Sequence, residues 1–97
     1  MTYKILIEPS AQLEIENDYD YYLSVSSKVA DLFYEDLQHS YHALEINPFY
    51  QQRTKNYRAL PLKTFPYLLF FEVIERLNVV KILSLFNVHQ DPTKYPL

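Results

Sequence analysis

Apolar residues recur every three or four positions in two segments of the first half of the chain. They are Ala11, Ile15, Tyr19, Tyr22 and Leu23 in one segment and Ala30, Phe33, Leu37, Tyr41 and Leu44 in the other. This spacing is typical of amphipathic helices. The intervening acidic residues of the first segment are expected to form its solvated side: Glu14, Glu16, Asp18 and Asp20.

The boundaries of these helices are indicated by serine and proline. Ser10 can cap a first helix that begins at Ala11, and Ser26 or Ser27 can cap the second. The second helix should end before Pro48, because proline disfavours the helical conformation of the residue in front of it. Since the link between the helices is so short, the sequence predicts a helical hairpin.

Four other segments have the composition of β-strands: residues 3–8, 57–62, 67–75 and 79–89. Pro61 limits the second of them to a sheet edge or marks the end of that strand, and the short connections imply antiparallel neighbours. We therefore predict one α+β domain spanning residues 1–97. Its order is β-α-α-β-β-β, with the hairpin packed on one face of a mainly antiparallel sheet. The core should join Ala30, Phe33, Leu37 and Leu44 to Phe71, Val73, Ile82 or Phe86.

Composition narrows the chemistry that the chain can perform. Its 97 residues suffice for one modest core, and they include neither cysteine nor glycine. Disulfides, thiolate metal sites and glycine-rich phosphate loops are therefore excluded, and Asn, Asp, Pro or Ser must form the turns. No apolar run reaches the roughly 20 residues of a membrane span, and the first residues lack the shape of a signal peptide. We expect a cytoplasmic protein without a membrane partner.

Charge is distributed unevenly along the chain. Residues 1–50 carry nine acidic and two basic side chains, a net charge of −7, whereas residues 51–97 carry seven basic and three acidic ones, a net charge of +4. This asymmetry indicates an acidic outer half and a basic working half. The net charge of −3 and pI near 5.5 disfavour a nuclease, because phosphate contacts dominate the affinity for nucleic acids.

The ordered set of local motifs resembles the RelE/ParE family of toxins from type II toxin–antitoxin systems, of the plasmid stabilisation type. An alanine opens a helix that leads to Tyr21-Tyr22, and Leu44 precedes Asn47-Pro48 at the close of the second helix. Residues 58–73 are similar to the family's arginine strand, Phe-Pro-Tyr turn and aromatic strand. Residues 88–92 resemble its strand-ending histidine before Asp-Pro.

The resemblance implies a growth-inhibiting toxin that a cognate antitoxin protein neutralises. ParE-like members bind DNA gyrase, whereas RelE-like members cleave messenger RNA in the ribosome. Because the chain is acidic, we expect a ParE-like toxin, with a metal-independent RelE-like endoribonuclease as the alternative. A non-toxic interaction module of the same fold is a third possibility.

Candidate site residues follow from the chemistry of the nuclease alternative. His89 is the candidate acid or base, and Arg58 can hold a phosphate with two hydrogen bonds. Basic or stacking side chains at Arg53, Lys55, Lys81 and Tyr95 are candidates for binding. The structural alternatives are that His89 only fixes a strand end and that Arg58 pairs with Glu72 on the neighbouring strand.

A metal site is not expected. His39 and His42 lie three residues apart on the second helix, which is compatible with metal ligation, but no third ligand is evident. A histidine pair of this kind is more often a solvated helix face. The sequence therefore predicts neither a metal nor an organic cofactor.

Overall fold

The structure, a computed structural model, describes residues 2–50 and 57–89. Its elements are β1 (Lys4–Ile7), α1 (Pro9–Val25), α2 (Ser27–Ile46), β2 (Arg58–Pro61), β3 (Tyr67–Ile74) and β4 (Val79–Asn87). A short 3-10 turn (Glu75–Leu77) joins β3 to β4. The predicted β-α-α-β-β-β order is confirmed. Neither helix in these ranges is long and apolar enough to cross a membrane.

The four strands form one sheet in the order β1-β4-β3-β2. β2 and β4 run antiparallel to β3, and β1 runs parallel to β4. The α1–α2 hairpin packs on one face of this sheet, which confirms the predicted α+β architecture. Pro61 lies in the edge strand β2, as predicted, where its missing N–H is tolerated.

The helix boundaries agree with the sequence at both ends of α2 and differ at the start of α1. The Ser26 side chain accepts a hydrogen bond of 3.0 Å from the Val29 N–H and caps α2, as predicted. The Ser10 cap is wrong, because α1 already begins at Pro9 behind an extended Glu8 and has no side-chain cap. Proline suits the first helical position, since its φ is preset and it has no N–H to leave unpaired.

The core between the hairpin and the sheet unites the two layers. Phe33, Leu37, Leu44, Phe71 and Ile82 belong to one buried cluster, and Val73 packs against it. Around Phe33 lie the rings of Tyr22, Phe65 and Tyr67, with centroid distances of 5.0, 5.4 and 5.6 Å. The predicted contact between helix two and the sheet is confirmed for these residues.

Phe86 lies instead in a second cluster, on the opposite face of the sheet. Its members are Tyr57, Ala59, Leu68, Phe70 and Phe86. The cause is an irregularity in the β3–β4 register: Phe71 pairs with Ile82 and Phe70 with Ser84, so β4 contains one extra residue. Because side chains alternate between faces, the extra residue moves Leu85 to the helical side and Phe86 away from it. The prediction that Phe86 could face the helices is therefore wrong.

The turn that leads into β4 shows how a chain without glycine reverses direction. Asn78 has φ 53° and ψ 46°, the only positive φ among the described residues. Asparagine adopts this left-handed conformation more readily than most residues. The expectation that asparagine replaces glycine in turns is confirmed here.

Candidate functional site

His89 lies two residues beyond the end of β4 and is exposed. Its backbone N–H donates to Asn87 Oδ1 at 2.9 Å, and the preceding N–H, of Val88, donates to the Pro66 carbonyl at 2.9 Å. These bonds hold the backbone at the strand end and leave the imidazole facing solvent. The position is compatible with an acid–base role and with a purely structural one.

Arg58, at the start of β2, is half-buried and turned toward the segment that follows α2. Its Nη1 donates to the Tyr50 carbonyl at 2.8 Å, and its guanidinium carbon lies 5.3 Å from the centroid of the Phe49 ring. The proposed pairing with Glu72 is wrong, because Arg58 is opposite Phe71 in the register. Since neighbouring side chains point to opposite faces, Glu72 lies on the other side of the sheet.

Lys81 is engaged in an ion pair. Its Nζ lies 2.7 Å from Glu8 Oε1, and this hydrogen bond and charge raise the pKa of Lys81. Glu72, its register neighbour on β3, adds a smaller effect of the same sign. The pair ties β4 to the junction between β1 and α1. The other predicted binding residues lie outside the described residues: Arg53, Lys55 and Tyr95.

Strand register separates the candidate catalytic groups. Arg58 pairs with Phe71, whereas Asn87 pairs with Tyr67, four residues away along β3. Four residues of strand span about 13 Å, and His89 lies two residues further on. Lys81, opposite Glu72, points to the other face of the sheet from Arg58. The described structure therefore does not bring His89, Arg58 and Lys81 together around one phosphate.

Glu14 has a partner that the sequence pattern did not reveal. Its Oε1 accepts hydrogen bonds from Ser84 Oγ at 2.9 Å and from the Leu85 N–H at 3.2 Å. β1 ends opposite Ile82, and among the described residues no strand pairs with the following part of β4 on that side. The Glu14 carboxylate therefore serves as the acceptor for hydrogen-bond donors at this edge of β4. The expectation that Glu14 is merely solvated is wrong.

Asp18 lies one helical turn beyond Glu14 and is half-buried. Burial, and then the nearby charge of Glu14, raise the pKa of Asp18 from 3.8 to about 6. A group in this position is not part of a freely solvated helix face, so the expectation is wrong for Asp18 as well. The third and fourth members of the acidic set, Glu16 and Asp20, are exposed as predicted.

Asp36 is a buried carboxylate that the sequence analysis passed over. Its Oδ2 accepts hydrogen bonds from the Thr64 N–H at 3.0 Å and the Phe65 N–H at 2.8 Å. It therefore holds the β2–β3 turn against α2. A signal was available, because Asp36 follows Phe33 by three residues and so shares its buried helix face.

A groove of about 310 Å³ runs between α1 and α2. Its floor is apolar and includes Ile15, Phe33 and Leu37, and Tyr19 and Tyr34 also line it. The other lining residues are Gln12, Glu16, Asp20 and Asp31. We call this feature the helix groove. Its lining contains three carboxylates and no basic side chain.

A second surface feature surrounds Arg58, and we call it the Arg58 platform. It comprises Tyr3, Phe49, Tyr50 and Arg58. Phe49 and Tyr50 are 47% and 36% exposed, and the Tyr3 ring meets Phe49 edge-on at 6.0 Å. Exposed apolar side chains around a guanidinium are typical of protein-binding surfaces.

Within residues 2–50 and 57–89, no group of three or more His, Asp or Glu side chains is placed to hold a metal ion. His42 Nδ1 lies 3.5 Å from Glu45 Oε1, so this histidine contacts a neighbour on its own helix.

Comparison with known families gives one match that spans most of the chain. The family model described as ParE toxin of type II toxin–antitoxin system, parDE, matches residues 5–92. No curated protein matches this sequence.

Solved structures share the fold at low sequence identity. A chain of the chromosomal ParDE system from P. aeruginosa has a TM-score of 0.72 and 18% identity, covering 90% of this chain and 97% of that one. A mutant of E. coli toxin RelE in the free state has a TM-score of 0.64 and 19% identity, with both chains covered completely. A RelE mutant in complex with an antitoxin RelBc peptide has a TM-score of 0.54 and 17% identity, covering 97% and 90%.

Proposed function

Because the chain belongs to the ParE toxin family of type II toxin–antitoxin systems, we propose that it inhibits growth by binding a protein target such as DNA gyrase. In this proposal it works in the cytoplasm, needs no cofactor and is held inactive by a cognate antitoxin. The toxin does not cleave RNA. Its activity lies in the surface that it presents to another protein.

This proposal is supported above all by the separation of the candidate catalytic groups from one another. RNA cleavage without a metal requires an acid, a base and positive charge around one phosphate. Arg58 is engaged with Tyr50 and Phe49, Lys81 is paired with Glu8, and the register separates both from His89. A protein-binding toxin needs no such convergence.

The sheet face opposite the helices supports the same proposal. Its buried side chains are those of the second cluster, which is aromatic and aliphatic. Phe70 and Phe86 are among them, 6.2 Å apart between ring centroids. These contacts stabilise the sheet. Glu72 and Lys81 also point to this face, but Lys81 is paired with Glu8.

We propose that the Arg58 platform receives the antitoxin. Arg58 can hold a partner carboxylate through further donors of its guanidinium, and the exposed rings beside it can pack against an apolar side chain. An antitoxin segment with acidic side chains would fit this surface and the nearby sequence positions Arg53 and Lys55. Lys81 remains a candidate contact, although it would have to be shared with Glu8.

The RelE-like endoribonuclease remains the alternative, and one observation favours it. His89 is exposed at the end of a strand, where an imidazole could reach a messenger RNA bound in the ribosome. The non-toxic interaction module is the third possibility, since it requires only the fold and the exposed platform.

Controlled expression with two readouts tests the proposal. We expect induction to arrest growth and to produce gyrase-linked DNA breaks, while incorporation of labelled amino acids continues at early times. A block in translation before any DNA damage would favour the endoribonuclease. Growth that continues at high expression would favour the non-toxic module.

Co-purification tests the antitoxin contact separately. A small gene adjacent to this one should encode a protein that co-purifies with the toxin and restores growth. Arg58→Ala should weaken the complex, whereas Arg76→Ala, an exposed arginine of the β3–β4 turn, should leave it unchanged. Equal effects of the two substitutions would contradict a contact at the Arg58 platform.

A further inference from the structure

The helix groove differs in charge from every surface that the proposed function uses. Residues 9–46 carry eight acidic side chains and one basic side chain, Lys28, which gives this hairpin a net charge of −7. The remaining residues carry eight basic and four acidic side chains, a net charge of +4. The protein therefore has an acidic helical layer and a basic remainder.

Within residues 2–50 and 57–89, the carboxylates along the helix groove have no cationic partners. Glu16 accepts a hydrogen bond of 3.0 Å from the Gln12 side chain on its own helix. In the part of the chain that the structure describes, Asp20 and Asp31 form no ion pair. They lie on opposite walls of the groove, one on α1 and one on α2. Like charges on the two walls of an apolar groove repel one another, and a bound cation would relieve this repulsion.

The shape of the groove fits a side chain that is larger than a simple ion. Its volume of about 310 Å³ and its floor of Ile15, Phe33 and Leu37 can accept an apolar side chain. Tyr34 is 54% exposed at the rim and offers a further apolar wall with a polar tip. An amphipathic peptide that inserts apolar anchors into a groove and carries charge on its flanks would satisfy both features.

We propose that the helix groove binds a basic amphipathic segment of a protein partner, with apolar anchors on its floor and Lys or Arg side chains beside Asp20, Asp31 and Glu16. This segment is distinct from the acidic one proposed for the Arg58 platform, because the two surfaces have opposite charge. The groove can therefore be occupied while the platform is occupied. Binding at the helix groove requires neither toxicity, nor gyrase, nor a particular antitoxin.

Binding of a synthetic probe by the full chain tests the proposal. The probe is a fluorescein-labelled amphipathic peptide of 14 residues made of Leu and Lys, and its control has Glu in place of every Lys. We expect saturable binding of the Lys peptide and none of the Glu peptide. Amide chemical-shift changes should concentrate in residues 12–20 and 31–37. Shift changes spread over the whole acidic surface would overturn the proposal.

Two matched pairs of variants separate a groove from general attraction to an acidic protein. Asp20→Asn/Asp31→Asn should weaken binding about fivefold or more, as expected for the loss of two exposed charge contacts. Glu35→Gln/Glu75→Gln removes the same net charge from exposed positions outside the groove and should change affinity less than about twofold. Equal losses in both double variants would overturn the proposal.

The second pair tests the apolar part of the groove. Tyr34→Ala should weaken binding by a similar factor, whereas Tyr21→Ala should not, since Tyr21 is 64% exposed on α1 but does not line the groove. Circular dichroism would verify that all four variants are folded. Unchanged affinity of a folded Tyr34→Ala variant would contradict insertion beside this ring.

Discussion

The helical layer and the sheet layer of this protein differ in regularity and in charge. The hairpin has a regular apolar stripe, short polar boundaries and a net charge of −7. The sheet has a register irregularity, an arginine drawn toward the loop after α2 and a lysine engaged by Glu8. Hydrophobic periodicity in the sequence indicates which face of a helix or strand is buried. It does not indicate which polar groups lie close together in the folded protein.

The two layers also suit partners of opposite charge. The acidic hairpin suits a basic partner, and the Arg58 platform beside the sheet suits an acidic one. Both depend on the same core, because Phe33 joins the helices to the β2–β3 turn and to β3. Substitutions at Phe33 and Asp36 should weaken the contacts between the layers, whereas a substitution at Asp18 removes a single charge within the hairpin.

The largest loss of stability is expected when the aromatic ring that joins the layers is removed. Phe33→Ala should lower the free energy of unfolding by about 3–5 kcal/mol, because Phe33 is fully buried among three aromatic rings. Tyr34→Ala, next to it but half-exposed, should cost less than about 1 kcal/mol. Denaturant unfolding of both variants provides the comparison. Equal costs would show that the layers are not joined through Phe33.

A smaller effect is expected at the turn between β2 and β3. Asp36→Ala should cost about 2 kcal/mol, since the N–H groups of Thr64 and Phe65 lose their acceptor. The exposed neighbour Glu35 provides the control, and Glu35→Ala should change stability by less than about 0.5 kcal/mol. Hydrogen exchange should show faster exchange at Thr64 and Phe65 in the Asp36 variant alone. Unchanged exchange there would contradict this role of Asp36.

The smallest expected effect is a gain in stability, and its size depends on pH. With the pKa of Asp18 raised from 3.8 to about 6, the folded state holds this proton more tightly than the unfolded state does. Stability therefore falls as pH rises through this window, and ionised Asp18 is destabilising at pH 7. Asp18→Asn should stabilise the protein at pH 7 by about 1 kcal/mol, a value reduced for solvent screening at a half-exposed position.

Unfolding measured at several pH values would test the origin of that gain. The advantage of Asp18→Asn should be absent near pH 3, grow between about pH 4 and pH 6, and level off near pH 7. Asn17→Ala, a substitution of an exposed uncharged residue on the same helix, should show no such dependence. A gain for Asp18→Asn that is the same at every pH would point to a cause other than its ionisation.

Much of the fold was predictable, and the exceptions have identifiable causes. The two helices, the edge position of Pro61 and the capping role of Ser26 follow from local patterns. Phe86 was misplaced because one inserted residue in β4 reverses the alternation of faces, which the composition of a strand does not encode. The first helix was expected to begin at Ala11, but it begins at Pro9, because proline is suited to the first helical position.

The site was less predictable, for reasons of tertiary structure. The sequence pattern places Glu14 on the surface. Its partner is the part of β4 that follows Ile82, the last residue paired with β1, and this partner is present only in the folded sheet. Arg58 looked free to bind a phosphate or to pair with Glu72, and its contact with Tyr50 depends on the path of the chain after α2. By contrast, Asp36 could have been found, since a carboxylate on a buried helix face requires a partner.

Mapping the ends of cellular messenger RNA after induction tests whether the protein acts without an RNA-cleaving centre, as we propose. We expect no codon-phased cuts, and we expect His89→Ala and Arg58→Ala variants that fold normally to remain toxic. Codon-phased cuts that disappear in the His89→Ala variant would show instead that the protein is an endoribonuclease, because the loss of an acid–base group commonly lowers a cleavage rate by about 10²–10⁴-fold.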